Sequence, residues 1–109
     1  MARSTTSMTA LNSVTDWIQC DSLRSGTVLF QLTPSGWTGT LTLEGTLDDG
    51  TTAVTIGGYN LTAPTTVITT TAVAAAQIIG MTGTAMKVRL KCTAFTAGSV
   101  AVLWNSAQT

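Results

Sequence analysis

The sequence contains no histidine, and only 9% of its 109 residues are charged. Without imidazole the chain lacks the usual general base at neutral pH, the Ser-His-Asp arrangement and most zinc catalysis. Cysteine is scarce too. Cys20 and Cys92 stand alone, too few and too far apart for a disulfide scaffold or a zinc knuckle, and neither has a histidine to activate it. Two readings of the pair stay open: buried reduced thiols, or a bridge between strands at opposite ends of the chain. Apolar runs are short throughout, which predicts no membrane span. The residues after Arg3, STTSMTALNS, hold no apolar core of the length a signal peptide needs.

The missing charge also bears on partners. Five acids (Asp16, Asp21, Glu44, Asp48, Asp49) cancel five bases (Arg3, Arg24, Lys87, Arg89, Lys91). A free-standing soluble domain carries roughly a quarter of its residues as charges, and a net charge near zero favours self-association. No basic excess exists to neutralise phosphates, so nucleic acid is not expected as a partner. Threonine occupies the places charge would normally take, and it favours strands and pairs its hydroxyls across them. Such a surface suits an assembly in which much of it is covered.

The carboxylates do not form a site. Glycosidase chemistry needs two of them facing across a cleft, whereas Glu44 reads as an outward strand residue and Asp48-Asp49 as part of a turn. A calcium ion wants six or more oxygens, more than Asp48-Asp49-Gly50 offers. No phosphate-cradling glycine loop leads into a helix. Asn60-Leu61-Thr62 matches a glycosylation acceptor pattern by chance. No enzymatic activity, metal or other cofactor is expected.

What the chain does have is alternation. In Gly39 to Gly50, GTLTLEGTLDDG, the residues Leu41, Leu43 and Leu47 share one face and Thr40, Thr42, Glu44 and Thr46 the other. A two-residue period is a half-buried strand, and Asp48, Asp49 and Gly50 supply the reversal after it. Thr52 to Ile56 is the expected hairpin mate. Residues 1–12 are small and polar and read as an arm, flexible or ordered by a partner, leaving 13–109 as one domain. A strand is expected over Val14 to Leu23, with Trp17 and Ile18 on opposite faces, and another over Thr27 to Leu32, burying Val28, Phe30 and Leu32. Pro34 to Gly39 reads as a loop. Thr65 to Val73 is β-branched almost throughout and reads as a strand, followed by a crossover that carries Ile78 and Ile79 into the core. Ala85 to Thr93 alternates with Met86, Val88, Leu90 and Cys92 inward. Ala97-Gly98-Ser99 reads as a turn, and Val100, Val102 and Trp104 share the face of a last strand. Seven to eight short strands with frequent turns predict an antiparallel β-sandwich or jelly-roll-like fold.

Two features have the character of contact surface. Lys87, Arg89 and Lys91 form a ladder of like charge on one strand face, which is repulsive unless opposed. It is either a solvated face with Glu44 nearby, or a row that meets an acidic surface on a partner. Trp37, between two glycines, either folds back as a lid on the core or stands at a contact surface, where tryptophan is enriched. Trp37 and Trp17 are the aromatics expected to lose exposure on assembly.

The segment GTLTLEGTLDDGTTAV resembles the strand-turn-strand of small β domains in tailed-bacteriophage virion proteins, where a glycine-rich strand ends in Glu-Gly-Ser-x-Asp-Gly. Ile79-Gly80-Met81-Thr82-Gly83 leading into Met86-Lys87-Val88-Arg89-Leu90 is similar to the same class. So is Thr93 to Val102, beside a family ending Thr-x-x-x-x-Gly-Thr-Val-x-Val. The likeness covers Gly39 to Val102. At Gly50-Thr51-Thr52 the chain departs from a pattern that often carries an aromatic residue after Asp-Gly. The resemblance implies a structural protein of the phage particle, made in the host cytoplasm and located in the virion. It would be a capsid decoration protein or a small neck or tail subunit. It would act as a homo-oligomer, a trimer in the case of decoration, bound to the major capsid protein or to a tail or neck protein. The alternative within the same resemblance is a carbohydrate- or receptor-binding module of a head fibre or tail.

Overall fold

The computed structural model describes residues 3–19, 27–82 and 87–105. Among these residues nine strands follow in order: β1 (Arg3–Met8), β2 (Ile18–Gln19), β3 (Thr27–Thr46), β4 (Val54–Thr55), β5 (Gly58–Asn60), β6 (Ala63–Ile68), β7 (Thr70–Thr71), β8 (Gln77–Thr82) and β9 (Lys87–Asn105). All pairings are antiparallel. The order across the sheet is β1-β9-β3-β8-β5-β6, with β2 on β9 and both β4 and β7 on β3. The fold is an all-β sandwich, as the alternation predicts.

The strands are not uniformly short. β3 holds 20 residues and β9 holds 19, and they pair with each other from Thr46↔Lys87 to Phe30↔Trp104. A straight strand of that length would reach ~66 Å at ~3.3 Å per residue. The longest extent of the molecule is 34 Å, so both strands fold over midway and each serves both layers.

The bend replaces two expected connections. Pro34 to Gly39, read as a loop, continues β3, and Ala97-Gly98-Ser99, read as a turn, continues β9. These segments face each other, and the register slips between Ser35 and Thr38, between Thr38 and Gly39, and between Thr40 and Leu41. At the first slip the extra residue lies in β3; at the other two it lies in β9. Each extra residue reverses the direction in which the following side chains point. β3 therefore buries Val28, Phe30 and Leu32 before the bend but Leu41 and Leu43 after it, a change from even to odd positions. β9, with two extra residues, buries even positions on both sides: Val88, Leu90, Cys92, then Val100, Val102, Trp104. Proline, serine and glycine serve bulges as well as turns, which is why the composition misleads here.

Leu47 is a second correction. It continues the alternation of Leu41 and Leu43, but β3 ends at Thr46 and Leu47 is 80% exposed. Its neighbours on the other face are not simply outward either, since Thr42 and Thr46 are buried.

The arm expected over residues 1–12 is, over Arg3–Met8, an edge strand paired with Val100 to Asn105 of β9. Met8 is fully buried. The chain then follows the other half of the same strand. Asn12 N–H donates to the Cys92 carbonyl at 2.9 Å, Cys92 N–H to Ser13 at 2.8 Å, and Thr15 N–H to Leu90 at 3.0 Å. The edge of β9 would otherwise carry unpaired buried amides and carbonyls. Of the strand expected over Val14 to Leu23, the described part holds a bridge at Val14 and the two-residue β2; residues 20–23 lie outside the described part, as do Ala85 and Met86.

On the far side of β3, the stretch Thr65 to Val73 divides into β6 and β7. Ile78 and Ile79 belong to a strand, β8, lying between β3 and β5, with Ile79 buried and Ile78 at the surface. Phe30 and Trp104, register partners on β3 and β9, meet with ring centroids 6.3 Å apart.

Candidate interaction surface

The basic ladder lies on the outer face of the first half of β9. Two of its three charges, Lys87 and Arg89, are opposed. Glu44 of β3 sits directly across from Arg89 in the register. Arg89 Nε donates to Glu44 Oε1 at 2.9 Å, with both side chains largely covered. Lys87 pairs with Asp49 at 2.9 Å in a solvent-exposed contact, of a kind that contributes little to stability. Among the described residues no carboxylate lies within ion-pair distance of Lys91.

Trp17 completes this face. Its ring lies under the Arg89 guanidinium, 4.2 Å from the centroid, a cation–π arrangement. It also lies across Gly50, where an added Cβ would meet its Nε1 at 2.6 Å. The tryptophan thus joins the ladder to the turn after β3. That turn is built by side chains. Thr46 Oγ1 donates to Asp48 Oδ1 at 2.7 Å and accepts from the Gly50 amide at 3.1 Å, while Thr52 N–H donates to Asp48 Oδ1 at 2.8 Å. Asp49 and Gly50 both take positive φ. These donors hold the Asp48 carboxyl below its ordinary value, the Thr46 hydroxyl acting most strongly. Asp48, Asp49 and Gly50 lie in the connection between β3 and β4, and among the described residues no three metal-ligating side chains cluster.

Trp37 stands at the bend, apart from the ladder. Its ring packs on Phe95 at 5.8 Å between centroids and lies over Gly39. It is partly buried against the core, and its Nε1, although buried, has no hydrogen-bond partner. Cys92 is a free, buried thiol whose pKa is raised by burial; Cys20 lies outside the described residues. No described helix is long and apolar enough to cross a membrane.

A further surface was not singled out by sequence patterning. Between Asp49 and Lys87 no residue carries a formal charge, and this stretch supplies β4 to β8. Within it Val54, Leu61 and Val67 are 56%, 43% and 75% exposed. A groove of about 480 Å³ runs beside Leu47, Val54 and Ile56, and one of about 240 Å³ lies beside Tyr59, Pro64 and Val67. The signal in the sequence was the length of the uncharged run itself.

No protein-family model matches the chain, and no curated protein matches it significantly. Among solved structures it is similar to the crystal structure of the SPBc2 prophage-derived protein YomS. The TM-score is 0.68 and the sequence identity 14%, over 95% of this chain and 94% of that one. The two share a fold across nearly their whole length.

Proposed function

We propose that the protein is a non-enzymatic structural component of a phage particle, acting by self-association and by binding the shell. The observation that carries the reading is the near-complete overlap of its fold with that of a prophage-encoded protein. The composition supports it. A chain with 9% charge, whose ion pairs among the described residues lie on one face, presents largely neutral threonine-rich surface to its surroundings. Burial of such surface between subunits is what small particle proteins require.

In its finer form the reading is a capsid decoration protein, with trimers seated on the major capsid protein. Weak contacts repeated around a shell add through multivalency, so no single contact has to be strong. The interface would draw on Trp37 at the bend and on Lys87, Arg89, Lys91 and Trp17 on the ladder face. Lys91 is the most available of these charges to an acidic partner.

Mass spectrometry and imaging of purified virions from the encoding phage test this. The protein should be present in regular, stoichiometric copy number at fixed positions on the shell. Its absence from virions would overturn the proposal, and a ring at the neck or along the tail would overturn the decoration form alone.

A further inference from the structure

β6 is the last strand of the six-stranded order, and among the described residues its one neighbour is β5. Five of its six residues are exposed, with Ile68 half-buried, and Val67 is the second most exposed large aliphatic side chain among those described. Natural sheet edges are usually blunted with charge, above all lysine. Here the strand and everything between Asp49 and Lys87 is uncharged, and Pro64 alone interrupts the run of backbone donors.

We propose that β6 is the edge along which a second copy of this chain docks, the two β6 strands pairing antiparallel about a twofold axis. This rests on the reading that the protein self-associates, and names where. A twofold axis sets a strand against itself, so any charge on it would face its own kind at a cost; an uncharged strand meets no such cost. The opposite edge of the sheet, β1, is a poorer mate for Val67. Its sequence Arg3 to Met8 offers hydroxyls, and its apolar residue, Met8, is already buried in its own core. With Thr66 opposite its symmetry mate, Val67 lies across from Thr65 and Pro64 across from Ile68. The small groove beside Tyr59, Pro64 and Val67 then closes from both sides. Two six-residue strands bury less than the ~800 Å² per partner of a stable pair, so the contact is weak and concentration-dependent.

Sedimentation equilibrium from ~1 μM to ~1 mM, a range that brackets weak association, tests the proposal on the full chain. The wild type should dimerise. Val67→Lys, which places a lysine beside its symmetry mate, should weaken the dimer at least tenfold, whereas Val54→Lys, on β4, should not. Thermal melts of both variants check that the monomer still folds. In parallel, Thr66→Cys should oxidise to a covalent dimer, since directly opposed residues lie within disulfide reach, and the wild type with its native cysteines should not. If the wild type associates but Val67→Lys associates equally and Thr66→Cys does not cross-link, the edge is wrong and self-association stands. A chain that stays monomeric throughout, with no Thr66→Cys cross-link, overturns both.

Discussion

Glu44 and Arg89 face each other across β3 and β9 and share a 2.9 Å hydrogen bond between Oε1 and Nε, with Trp17 stacked beneath the guanidinium. Both side chains are mostly covered, so removing one leaves a partly desolvated charge without its partner. Glu44→Ala should cost about 1–3 kcal/mol in urea unfolding. The double variant with Arg89→Ala should cost clearly less than the sum of the two singles. Strict additivity would mean that the pair is solvated and structurally idle.

Gly36 and Gly98 meet at the bend with positive φ, +59° and +81°, but their surroundings differ. A Cβ on Gly36 enters open space, whereas on Gly98 it would collide with the Gly36 carbonyl. Gly36→Ala should therefore cost only the left-handed backbone penalty, about 1–2 kcal/mol. Gly98→Ala must in addition push two backbones apart, and it should be the worse of the two by a margin visible in the melting temperature. Equal losses would show that backbone conformation alone governs the bend.

Leu43 and Leu47 occupy equivalent positions in the alternating pattern and opposite ones in the fold. Leu43→Ala opens a cavity in the core and should cost about 2–5 kcal/mol. Leu47→Ala removes an exposed side chain and should stay within about 0.5 kcal/mol. Comparable losses would return Leu47 to the core.

Asp48 has its folded-state pKa lowered by the Thr46 hydroxyl and the Thr52 amide. A depressed carboxylate contributes stability that is complete above its unfolded value and is lost as pH falls through the folded one. Asp48→Ala should thus be less stable than wild type at neutral pH. The gap should narrow only in acid, below the ordinary carboxylate value of 3.8. A gap that is constant from neutral pH down into strong acid would assign the effect to turn geometry rather than to charge.

Much of the core was legible from period alone. Val28, Phe30 and Leu32, then Leu41 and Leu43, then Val88, Leu90 and Cys92, and finally Val100, Val102 and Trp104 all bury the face their alternation picks out. What alternation does not carry is where a strand stops. Leu47 keeps the rhythm one step past the last ladder position, and only the Thr46–Asp48 hydrogen bonds mark the end. Arg3–Met8 escaped notice because a hydroxyl-rich edge strand needs little apolar surface of its own when a long neighbour supplies the ladder. The pairing of Arg89 with Glu44 was half visible, since Glu44 was the natural counter-charge. The placement of Trp17 over Gly50 depends on a contact between residues distant in sequence and left no local trace. The bend is the least legible feature, because Pro34, Gly36 and Gly98 are the residues that would also end a strand.

The uneven allotment of extra residues at the bend has a consequence for how this chain can vary. Loss or gain of a single residue between Gly36 and Gly39 would turn Leu41 and Leu43 off the apolar core face of β3 and put Thr42 and Glu44 onto it. Natural length changes in this segment should therefore come in twos. A spot that looks like a tolerant surface loop is in effect a parity lock on half the molecule.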